Sequence, residues 1–411
     1  MITRTRSNIF KSLVEVIMSQ RRTLQDPRPT LSAQMRQALR QTLLKQVPLG
    51  VEGQDLDDAM LWDILLYAST NGITIESACT ELAGVPSGNP VRPHLHAVLD
   101  PSGLGVCALE DQLNAALQEQ LPTSLGRRRR RKGWEIGIDL TDIPYHGQPA
   151  QIPEEIRRGP AQSGTTHFHS YATLAIVHHH QRYEIALTLV WADESMEQVV
   201  DRLLEQADHL GLRIRRAYLD KGFCRREVFT VLRQRRLPYL IPIPVKGKDG
   251  GIGQLFTGKK SYRTTYTFNA GKPQAYTTEV IVIRRYHKGR YGRHGSEWFV
   301  YAAYGLDTVP LPQIFDLYRR RFGMESGYRQ MHQVRARTAS ASPTLRLLLV
   351  GLAFLLYNVY IRFRSKAHTT RTYGTRIRRL WLTLGRMKRL LQRFLERVWG
   401  TIEIPPVAAP P

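Results

Sequence analysis

The chain has 411 residues, with 59 Lys and Arg against 35 Asp and Glu, a formal charge of +24 and a pI near 10.3. A hydrophobic share of 42% is enough to bury a large core, so disorder does not account for the charge. A folded protein this basic concentrates polyanions at its surface, which excludes a neutral small-molecule enzyme as the default reading.

The charge is unevenly spread. Residues 1–50 carry +7, residues 51–126 carry −10, residues 127–343 carry +16 and residues 344–411 carry +11. The N-terminal 22 residues are basic and partly apolar but have no uninterrupted apolar run, so 1–50 reads as a basic helical region rather than a signal peptide. Residues 51–126 read as short helices. Leu56 to Tyr67 has helical apolar spacing and ends at Asn71-Gly72, and Thr74 caps a second helix from Ile75 to Leu82. A glycine turn over 84–88 and a restart at Asn89-Pro90 complete the outline of a helix-turn-helix. Pro93 interrupts its second helix and the segment is acidic, which leaves a plain helical bundle as the alternative. A basic linker, 127–133, follows. Its run Arg127, Arg128, Arg129, Arg130, Arg131 and Lys132 is too dense in like charge for a stable isolated helix and suits contact with a polyanion.

Strand patterns begin at Trp134. Trp134 to Leu140, Tyr171 to Val177 and Tyr183 to Val190 are β-rich, a helix spans Ser195 to Leu210, and a strand spans Arg215 to Leu219. A helix from Arg225 to Arg235 and a strand from Leu237 to Ile243 close a first core segment, 134–245. Residues 246–305 add only strands, at Tyr262 to Phe268, Thr277 to Arg284 and Trp298 to Tyr304. A second core segment, 306–362, opens with one long helix from Leu311 to about Val334. Leu347 to Ile361 is 15 uncharged residues, short of the roughly 18 of a membrane span, and reads as a buried core helix. Residues 363–411 read as a basic helical tail. The fold class is therefore α/β: a mixed sheet flanked by helices with a β-rich insertion, an N-terminal helical region and a basic helical C-terminus.

Three acids stand where such a sheet converges. Asp139 ends the first apolar run, Asp220 directly follows the fourth strand, and Glu325 lies in the helix after the insertion. Open α/β sheets place ligands just beyond strand carboxyl ends. Three carboxylates brought together repel one another unless a cation joins them, which points to a hard divalent ion, Mg²⁺ where phosphate oxygens complete the shell. Two ions roughly 3.5–4 Å apart would serve a phosphodiester displacement. Asp142 competes with Asp139, although Ile143-Pro144 after it reads as a turn. Offsets of three and four put Tyr318, Arg321 and Glu325 on one helical face, with His332 seven residues further on. That row suits a carboxylate that holds metal beside a guanidinium that clamps a phosphate oxygen.

Other features are blander. His178-His179-His180 alternates faces at a strand end, and KGKDGGIG (246–253) lacks the spacing of a nucleotide cradle. Cys79, Cys107 and Cys224 show no metal spacing and fit a reducing compartment.

The segments IDLTDIPYHG (138–147), YLDKGF (218–223) and Tyr-x2-Arg-x3-Glu (318–325) resemble the three catalytic regions of DDE transposases of prokaryotic insertion sequences. The closer resemblance, over about 134–340, is to the group with a β-rich insertion between the second aspartate and the glutamate. It implies an RNase H-like fold and a transposase that cleaves element ends and joins their 3′-hydroxyls to target DNA. Asp139, Asp220 and Glu325 would hold two Mg²⁺ ions, with Mn²⁺ as a substitute. Tyr318 and Arg321 would hold DNA, and Trp298 is a candidate to stack on a flipped base. The family's signature ends in Lys where this chain has His332, which could reach phosphate only through a hydrogen bond. The implied partners are double-stranded DNA, both terminal inverted repeats and target, and a second copy of the chain on that DNA. No membrane and no nucleotide cofactor are expected, and the expected location is the cytoplasm, at a prokaryotic nucleoid. Two alternatives stay open at this level: an RNase H-like nuclease without strand transfer, and a non-catalytic DNA-binding protein derived from a transposase.

Overall fold

The structure is a computed structural model that describes residues 29–99, 104–122, 133–149, 154–178, 181–245, 251–288, 294–364, 367–373 and 376–403. The basic run from Arg127 to Lys132, with His179 and His180, lies outside those residues.

Among the described residues five helices come first: α1 (Leu31–Gln46), α2 (Asp58–Asn71), α3 (Ile75–Glu81), α4 (Gly88–Leu99) and α5 (Gly105–Glu119). Their starts follow from local chemistry. Thr30, Asp57 and Thr74 each cap a helix by accepting a backbone N–H from inside the first turn. Gly72 ends α2 in the left-handed region, at φ +67°. Pro93 does not interrupt α4; near the start of a helix it forfeits a single ladder bond.

A nine-stranded mixed sheet follows. Its strands are β1 (Trp134–Pro144), β2 (Arg157–Gln162), β3 (Thr165–His178), β4 (Gln181–Val190), β5 (Ile214–Leu219), β6 (Tyr239–Pro242), β7 (Tyr262–Phe268), β8 (Tyr276–Lys288) and β9 (His294–Tyr304). Helices α6 (Met196–His209) and α7 (Arg226–Gln234) connect β4 to β5 and β5 to β6. The order is β2-β3-β1-β5-β6-β9-β8-β7, with β4 also paired to β3. The pairs β1/β5 and β5/β6 are parallel, and the remaining pairs are antiparallel. The strands of 246–305 continue the central sheet, because β9 pairs with β6 from Tyr239↔Tyr304 to Pro242↔Tyr301.

The helix expected over 311–334 is broken. It forms α8 (Leu311–Arg319), one tight 3₁₀ turn over Arg320–Phe322, and α9 (Gly323–His332). Next comes α10 (Pro343–Arg364), buried from Thr344 to Ile361, as expected of a core helix. It is long and apolar enough to cross a membrane by length and composition, and its apolar window is wholly buried inside the fold. Asn358 within it closes a two-way bridge to the Glu184 backbone, accepting from its N–H at 3.1 Å and donating to its carbonyl at 2.7 Å.

The C-terminal region differs from the expected helical tail. Residues His368–Tyr373 (β10) and Arg376–Trp381 (β11) form a separate antiparallel ribbon. Helix α11 (Leu384–Trp399) then docks on α1 and α2. Its apolar stripe of Leu384, Met387, Leu391 and Leu395 is buried there. Trp399 donates from Nε1 to Asp63 at 3.1 Å, and its carbonyl accepts from Gly84 at 2.7 Å. The first described helices and the last thus share one helical bundle.

Candidate active site

The parallel register of β1 and β5 positions two acids. Ile138 lies opposite Leu219, so the next residues, Asp139 and Asp220, come side by side where β5 ends. The third acid arrives on α9, which lies against β1 so closely that a Cβ on Gly137 would overlap the Met324 sulfur. Glu325 is the neighbour of that methionine, in the first turn of α9.

All three carboxylates meet one guanidinium. Arg321 is 3% exposed. Its Nη1 donates to Asp139 Oδ2 at 2.5 Å, and its Nη2 donates to Asp220 Oδ1 at 3.0 Å and to Glu325 Oε1 at 3.4 Å. Its Nε donates to Tyr318 Oη at 3.0 Å, and Tyr318 Oη donates to the Leu219 carbonyl at 3.4 Å. The 3₁₀ turn aims Arg321 inward. Tyr318 and Arg321, expected to face DNA, are therefore turned into the protein and engaged by its own groups, because three converging negative charges draw the nearest fixed cation.

Exposure grades the three acids. Asp139 is 7% exposed, while the side chains of Asp220 and Glu325 are 33% and 53% exposed. Burial pushes the Asp139 carboxyl up to about 6; Arg321 works against that shift, and Asp220 and Glu325 add to it. Burial disfavours the Arg321 charge, but Asp139, Tyr318 and Asp220 outweigh it and leave its pKa raised. Burial also raises Tyr318.

The acids open on a cavity of about 670 Å³ whose far wall is apolar, with Trp298, Phe299 and Phe315. Trp298 is half-buried, stacks on Phe256 at 5.8 Å and carries the Arg284 guanidinium 5.5 Å from its ring centre. Lys221 stands at the rim beside Asp220, a residue that the YLDKGF segment contained but that sequence reasoning left without a role. Tyr328 was also missed, although it lies one turn beyond Glu325. It lines the cavity and shares a hydrogen bond with Thr173 at 2.8 Å.

Two candidates stand apart. Asp142 is exposed and accepts from Ser170 Oγ at 2.6 Å, and β1 runs straight through it to Pro144, so the turn expected at Ile143-Pro144 is absent. His332 is exposed at the end of α9, its Nε2 3.4 Å from Thr141 Oγ1.

Residues 130–359, more than half of the chain, match the family described as transposase DDE domain. The chain belongs to that family. The matched span holds all three acids of the cavity, together with Tyr318 and Arg321. No curated protein matches the chain. It is similar to the protein in a cryo-EM structure of the piggyBac transposase synaptic complex with hairpin DNA, at 10% identity and a TM-score of 0.49 over 90% of this chain and 78% of that one.

DDE transposases work with divalent metal ions. The donor set suits them: three carboxylates supply hard oxygen ligands, two of them open to the cavity, against a single resident positive charge. Among the described residues no three acidic, His or Cys side chains already surround one point as ligands. Arg321 fills the centre of the group, and the carboxylates splay around it.

Proposed function

We propose that this protein is the transposase of an insertion sequence, cutting phosphodiesters at the element's ends and joining the freed 3′-hydroxyls to target DNA. The observation that carries the reading is the convergence of Asp139, Asp220 and Glu325 on one guanidinium at a cavity, within a transposase DDE domain. Asp139, Asp220 and Glu325 would hold two Mg²⁺ ions, for which Mn²⁺ can substitute. Such ions supply an activated water or 3′-hydroxyl on one side of the phosphodiester and charge for the leaving oxygen on the other.

The chain's own groups do the rest. Asp139, which accepts from Arg321 and lines the cavity, offers its carboxyl oxygens there as a ligand. Tyr318 fixes the direction of Arg321, and Arg321 holds the Asp139 and Asp220 side chains in register across the two strands. Lys221 at the rim meets a backbone phosphate as a point charge. The wall of Trp298, Phe299 and Phe315 excludes water and offers a base an aromatic face. The +16 carried by residues 127–343 neutralises phosphates, so affinity falls steeply with salt. Two DNA ends held together imply a dimer on DNA.

The test compares purified wild type with Asp220→Ala on linear DNA carrying the repeats that flank the coding sequence. Wild type is expected to give nicked ends bearing 3′-hydroxyls and, from pre-cut ends, strand-transfer products; the variant is expected to give neither. Cleavage that survives in Asp220→Ala sinks the catalytic assignment, and cleavage without joining in wild type reduces the protein to a nuclease.

A further inference from the structure

A second cluster lies on the same face of the sheet, further along the β1/β3 pair. Tyr171 is opposite Thr141 and His169 is opposite Ile143, while Asp139 is opposite Thr173. Alternation puts all six side chains on one face. His169 is four residues along from the catalytic register, about 13 Å at strand rise.

Over this stretch sit two arginines. Arg346, in the first turn of α10, is 9% exposed; its Nε donates to the Ser340 carbonyl at 2.6 Å and its guanidinium lies 5.4 Å from the Tyr145 ring centre. Arg335 is half-buried and its Nε has no partner. Both act electrostatically on His169 and on Tyr171, and Arg346 disfavours the Arg335 charge. Burial, then Arg346 and Arg335, push His169 down to about 3. Among the described residues no carboxylate acts on either arginine; Glu155 acts on Tyr171 but on neither of them.

The cluster therefore joins two like charges to a set of unused polar atoms. His169 is fully buried with both ring nitrogens unpartnered, and Tyr171 is fully buried with its Oη unpartnered. Well over nine in ten buried polar groups find a partner, and a buried charge without a counter-charge is costly. One oxyanion answers all of these at once: it accepts from the guanidinium forks, from an imidazole N–H and from a phenol O–H. One carboxylate, Glu155, acts on Tyr171 and has a buried, unpartnered oxygen of its own, but among the described residues it makes no ion pair with Arg335 or Arg346.

We propose that Arg335 and Arg346, with His169 and Tyr171 beneath them, form an oxyanion site that takes a backbone phosphate of the DNA a few nucleotides from the bond being cut. At 3.4 Å of helix axis per nucleotide of a strand, 13 Å corresponds to about four steps. The proposal rests on the transposase reading of the Asp139 cavity. The shared chemistry is phosphate, and free inorganic phosphate is the other source.

The experiment uses the full chain in two arms. In the first, melting temperature is measured in inorganic phosphate against chloride at matched ionic strength. Wild type and Arg335→Lys are expected to melt higher in phosphate, and Arg335→Gln is not. In the second, DNA affinity is followed against salt, and Arg335→Gln is expected to flatten the log–log slope by about one. Arg346 is buried, so Arg346→Lys, which keeps the charge, replaces a truncation: like Arg335→Lys it should keep both the slope and the phosphate protection. Phosphate protection with an unmoved slope means a free-anion site and overturns the DNA assignment; neither effect overturns the site altogether. Failure of the transposase reading appears elsewhere, as wild-type protein that never cleaves, and leaves both arms readable.

Discussion

In the helical bundle Asp58, Asp63 and Glu119 each have partners of their own. Asp58 accepts from the backbone of Leu49 and Val51 at 2.8 and 2.6 Å, Asp63 binds Arg36 and Trp399, and Glu119 binds Lys45 at 3.0 Å. At the ends of β1 and β5, three carboxylates divide one guanidinium. Asp63 and Glu119 meet Arg36 and Lys45 of α1, so part of the −10 of residues 51–126 is answered inside the bundle, which also packs against α11. The site's acids are left with a deficit of positive charge, and that deficit faces a cavity. Equal residue types thus mark structure in one place and a demand for a cation in the other.

The contrast can be broken by substitution. The largest expected effect is at the exposed acids of the site: Asp220→Ala should lower DNA cleavage by more than ~100-fold, beyond what loss of an outer-shell partner costs a metal site, while circular dichroism and melting change little. Next is Arg321→Ala, which leaves Asp139 buried and unpaired and should destabilise the metal-free protein by about 3–5 kcal/mol. Added Mg²⁺ should restore more of the melting temperature of Arg321→Ala than it adds to wild type. An equal response in both would mean that the carboxylates do not share a cation.

The bundle gives the control. Asp63→Ala should destabilise by about 3 kcal/mol, since it strands the Arg36 charge and the Trp399 N–H, and Mg²⁺ should rescue none of it. The smallest effect is a pH dependence at Glu110, where burial raises the carboxyl to about 7 against the lowering influence of the Leu189 N–H, Arg202 and Thr188. A raised carboxyl contributes stability that is present below its ordinary value of 4.5 and lost as pH rises through about 7. Glu110→Gln should therefore flatten the dependence of melting temperature on pH between those limits.

Much of the fold is legible in local pattern. The strands from Trp134 to Tyr304 announce themselves by β-branched and aromatic runs, and α10 by its unbroken apolar stretch. Strand β2, Arg-Arg-Gly-Pro-Ala-Gln, has no apolar alternation and holds its place only through β3. The β10/β11 ribbon hides its Thr, Tyr and Ile among arginines, so charge masks β propensity. The break at Arg320–Phe322 has no proline to signal it.

Linear order supplies the cast: an α/β succession of elements, three acids at strand ends and in a helix, and Tyr-x2-Arg-x3-Glu around the last of them. The assembled fold brings Asp139, the acid the apolar run favours, to Arg321 while Asp142 stays on Ser170, and it sets where Arg321 points. Both outcomes depend on partners far apart in the chain, the β1/β5 register and the seat of Met324 over Gly137. Local periodicity assigns a residue to a face; what that face meets is set by packing between distant segments, and electrostatics then acts on the groups that packing has brought together.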